Sequence, residues 1–73
     1  MAVTIVNLVY PGEEDKVCRT VEEAVRTLGA MVDNFKSLGY RIEEKQLPDE
    51  DYPQYAVYDH DDIWMGTYAI IVE

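Results

Sequence analysis

The strongest periodicity in the chain lies in residues 20–39. Val21, Ala24, Val25, Leu28, Met31, Val32, Phe35 and Leu38 recur at steps of three and four, the spacing that lines one face of an α-helix. Glu22, Glu23, Arg26, Asp33, Lys36 and Ser37 fall between them and form a polar face, with Glu22 and Arg26 spaced to pair one turn apart. Thr20 with Glu23 is a capping-box pattern: the hydroxyl accepts the Glu23 amide and the carboxylate reaches back to Thr20. Gly39 supplies the left-handed residue that ends a helix.

The other segments alternate with a period of two. Residues 2–10 predict a first strand rich in β-branched side chains. Pro11 and Gly12 break it, and 16–19 predicts a short second strand returning as a hairpin. After the helix, 40–47, 54–59 and 63–72 predict three more strands. A proline-bounded loop at 48–53 separates the first two, and His60, Asp61 and Asp62 make a tight connection to the last. In 40–47, Tyr40 and Ile42 face a core while Arg41, Glu43 and Lys45 face water, a pattern that suits a sheet edge. Gly66 interrupts the last strand and marks a bulge or a close-packing site. The order is β-(β)-α-β-β-β, and the short loops joining the last three strands predict an antiparallel meander. The fold class is therefore α+β, a two-layer sandwich with one helix on a mostly antiparallel sheet of four or five strands. Its 73 residues make a single small domain, near the lower size limit for a self-sufficient core.

One helix covers one face of a sheet, and the other face of a solitary protein is then polar. The pattern here is different. In the last strand Ile63, Met65, Thr67, Ala69 and Ile71 make one face, and Trp64, Gly66, Tyr68, Ile70 and Val72 make the other; both are mostly apolar. The first strand opposes Val3, Ile5 and Val9 to Val6, Leu8 and Tyr10. A second copy of the chain or another protein is expected to cover the second face through Trp64, Tyr68, Ile70 and Val72. A homodimer is the expected state.

Charge adds a second kind of surface. Fifteen acidic residues oppose six basic ones, for a net charge of −9. Such a chain repels nucleic acid and anionic membranes and suits a protein partner with a basic surface. The acids gather in three loop clusters: Glu13, Glu14 and Asp15; Asp49, Glu50 and Asp51; Asp59, Asp61 and Asp62. Carboxylates spread over a small rigid domain imitate the phosphate rows of a nucleic acid. The expected function is thus a non-catalytic acidic binding protein, an inhibitor or regulator that engages a basic nucleic-acid-handling protein through these loops. The analogy, of size and charge alone, is with small anti-CRISPR and anti-restriction proteins of phages and mobile elements. The competing expectation is a homodimeric structural or accessory protein whose acidity serves only solubility.

The chemical motifs are few. Cys18 is the only cysteine, so an intramolecular disulfide is impossible and a buried structural role is expected. His60 beside Asp59, Asp61 and Asp62 offers nitrogen and oxygen donors, but consecutive residues of a tight turn point apart, and the spacing is not that of a calcium loop. No metal, cofactor or catalytic group is expected: a glycine-rich phosphate loop, a nucleophile elbow and a basic aromatic stripe are all absent from the sequence. No apolar run approaches the roughly 20 residues of a membrane helix, and the opening residues lack the basic region of a signal peptide. The expected location is the cytoplasm, that of the host cell if the chain is phage-encoded.

Overall fold

The computed structural model describes residues 2–9 and 15–73. Its elements are β1 (Val3–Asn7), β2 (Lys16–Cys18), α1 (Val21–Ser37), β3 (Arg41–Lys45), β4 (Gln54–Tyr58) and β5 (Trp64–Val72). The strands form one sheet in the order β2-β1-β5-β4-β3, with every pairing antiparallel. The helix lies across one face. This is the α+β sandwich that the hydrophobic pattern predicts, with five strands because the short β2 is present. β1 joins the C-terminal meander through β5: Val3 lies opposite Val72, Ile5 opposite Ile70 and Asn7 opposite Tyr68. The highly charged β3 takes the outer edge, as its sparse apolar content predicts.

The helix is held at both ends by local bonds. Thr20 has extended backbone, and its Oγ1 accepts the Glu23 amide at 3.1 Å. The Glu23 carboxylate accepts the amide of Arg19, also at 3.1 Å, so the box closes one residue further out than the motif implies. At the other end Gly39 sits at φ 86°. Its amide donates to the Lys36 carbonyl at 3.0 Å and the Tyr40 amide donates to the Phe35 carbonyl at 3.1 Å, the two bonds of a Schellman motif. The Tyr40 ring, 6.1 Å from that of Phe35, supplies the apolar contact that accompanies it. Glu22 and Arg26 do not pair; the ion pairs among the described residues both belong to Arg41.

The core lies between α1 and the middle of the sheet. Ala24, Leu28 and Val32 are buried from the helix side, against Val3, Ile5, Cys18, Val57 and Tyr68 from the strands. Tyr68 stacks on Phe35 at 5.6 Å between ring centroids. Val25 and Leu38 stay half exposed although their spacing assigns them to the apolar face. The buried ridge runs in steps of four through Ala24, Leu28 and Val32, and Val25 stands about 100° round the helix from it.

Gly66 fulfils both expectations. A Cβ there would come within 2.7 Å of the Asn7 amide nitrogen. Asn7 is buried, and its Oδ1 accepts the Val9 amide at 3.0 Å, so the side chain is not free to swing away. The β4–β5 register also slips here: Val57 lies opposite Gly66 but Tyr58 opposite Trp64, which leaves Met65 as the extra residue of a bulge.

Two glycines therefore respond oppositely to a methyl group. Gly29 is in mid-helix with open space where its Cβ would be, so Gly29→Ala stabilises the fold by about 0.5–1 kcal/mol. Gly66→Ala overpacks Asn7 and destabilises it by roughly 1–3 kcal/mol. Urea midpoints that move in opposite directions for the two variants are the expected result.

Candidate interaction surface

Among the described residues nothing covers the sheet face away from the helix. Strand register assigns it Thr4, Val6 and Leu8 from β1 and its end, Val17 from β2, Thr67, Ala69 and Ile71 from β5, and Ala56 and Tyr58 from β4. Arg41, Glu43 and Lys45 of β3 border it. The bulge at Met65 shifts the alternation by one residue, so Trp64 stands on this face too, opposite Tyr58. A shallow groove of about 390 Å³ runs between Leu8, Trp64, Tyr58 and Ala56. Trp64 is 53% exposed, Leu8 45% and Ile71 39%.

This arrangement corrects the grouping of Trp64, Tyr68, Ile70 and Val72 as one surface. Strict alternation puts them together, but the bulge separates Trp64 from the others. Tyr68 is 9% exposed and stacked under the helix, and Ile70 packs against the same core. Val72, opposite Val3, is on the helix side at the sheet end. The free face consists instead of Trp64 with the opposite phase of β5, namely Thr67, Ala69 and Ile71. Gly66 was the available signal: once it is read as a bulge, everything before it changes face.

Trp64 and Arg41 are already engaged within the chain. The Trp64 indole N–H donates to Thr67 Oγ1 at 2.9 Å and to the Gly66 carbonyl at 3.1 Å. The Arg41 guanidinium lies 4.1 Å over the Tyr58 ring. It donates to Glu43 and, through Nε, to Asp62, both at 2.9 Å. Those two carboxylates, Glu43 first, push its pKa still higher than its usual value, so it remains a cation.

The acidic clusters are divided between the two ends of the sheet. Asp15, Asp59, Asp61 and Asp62 lie at the end where β1 stops and β5 begins; Asp49, Glu50 and Asp51 lie at the other, with Glu22, Glu23 and Glu73. Glu13 and Glu14 are outside the described residues, as are Tyr10, Pro11 and Gly12. Two acids of the β4–β5 connection hold its shape. Asp59 Oδ1 accepts the amides of Asp61 and Ile63, each at 2.9 Å, and Asp62 at φ 64° ends a three-residue hairpin loop. His60 packs its ring 5.3 Å from that of Tyr40 and against bare Gly39. In the loop after β3, Glu50 accepts from the Gln54 amide at 3.0 and 3.2 Å, while the side chains of Asp49 and Asp51 project into solvent.

Among the described residues no group of three or more His, Cys, Asp and Glu side chains converges as metal ligands would. Cys18 is buried in the core. No helix is long and apolar enough to cross a membrane among the described residues. No protein-family model, curated protein or solved structure matches this chain.

On the helix side, the Tyr55 hydroxyl donates to Glu44 at 3.0 Å. Partial burial first, and this carboxylate second, raise the Tyr55 pKa above its usual value near 10. The folded state thus holds the phenolic proton more tightly than the unfolded chain does. The resulting stabilisation is complete below the unfolded pKa and is lost as pH rises through the folded one. Between mildly and strongly alkaline pH the urea midpoint of the wild-type protein should fall more steeply than that of Tyr55→Phe.

Proposed function

We propose that this chain acts by binding rather than catalysis, as an inhibitor or regulator of a basic, nucleic-acid-handling protein. The observation that carries this reading is the placement of the carboxylates. Among the described residues, Asp15, Asp49, Glu50, Asp51, Asp61 and Asp62 are exposed on the connections at the two ends of the sheet, and Asp59 is half-buried there. A small body with carboxylates at both ends of its sheet offers a basic cleft two anchoring points, in place of the phosphates such a cleft ordinarily holds.

The two ends are not equivalent. Asp59 and Asp62 have intrachain partners that a binding partner would have to share, whereas Asp49 and Asp51 have none among the described residues. The loop between β3 and β4 is therefore the primary contact, and the β4–β5 connection a secondary one. Charge-driven association of this kind weakens steeply as salt rises.

Affinity capture from the native cellular background, followed by mass spectrometry, tests the reading. A nucleic-acid-binding protein with a basic surface should be retained by the wild-type chain at low salt and released at high salt. Replacing Asp49, Glu50 and Asp51 by Asn, Gln and Asn should weaken retention by tenfold or more, and the same changes at Asp59, Asp61 and Asp62 by less. The captured protein should also lose affinity for its own nucleic acid when complexed. Equal retention by both triple variants would reduce the acidic loops to solvated surface.

A further inference from the structure

We draw no further inference here: the strongest candidate, the apolar sheet face that presents Leu8, Trp64 and Ile71 away from the helix, carries nothing because nothing in the structure shows what covers it.

Discussion

The packing of α1 against β1 and β5 is the contact on which the rest of the molecule depends. Leu28 and Val32 meet Ile5, Val3 and Val57, and Phe35 meets Tyr68. Fully burying a side chain such as Leu28 or Ile5 contributes roughly 1.5–3 kcal/mol, and a chain of this length has few such residues. β5 is long and central, so one strand carries both the floor of the core and the middle of the opposite face. The ends of the helix set its position on that floor. The Thr20 cap follows directly from β2, and the Schellman turn at Gly39 feeds Tyr40 back onto Phe35 at the start of β3.

A single backbone irregularity decides how that central strand presents its side chains. Gly66 leaves room for the buried Asn7 amide, and the bulge beside it adds Met65 to β5. Without the bulge Trp64 would share the phase of Tyr68 and point towards the helix. With it, Trp64 turns to the uncovered face and bonds its indole N–H to Thr67. The device that closes the core at one end of the sheet thus also exposes Trp64 at the same end.

The electrostatic layout follows from topology. Antiparallel connections alternate between the two ends of a sheet, so acids placed on successive loops separate into opposite poles. The strands between the poles carry two carboxylates, Glu43 and Glu44 of the edge strand, and Glu50 reaches the sheet through Gln54. Arg41 ties that edge to the β4–β5 connection through Asp62, and holds Glu43 beside it. Acidic connections at the poles and apolar strands between them coexist in one small domain because the chain places them in different parts of the sheet.

Local patterns were legible in the sequence because local physics produces them. The helix and its caps, the strand periods and the edge character of β3 depend on neighbours within a few positions, and each is predicted from the local pattern of residues. Even the role of Gly66 could be narrowed to a bulge or a close contact. The face to which each residue of β5 belongs could not be read the same way. Strict alternation grouped Trp64 with Tyr68 and Ile70, and only the pairing with β4 revealed the extra residue that separates them. The division of the acids was equally hidden: which loops share an end depends on strand order, a property of long-range pairing. Composition alone determined that this chain is acidic and rich in apolar strands; the tertiary structure decided where each property faces, because register and topology arise from contacts between residues far apart in the chain.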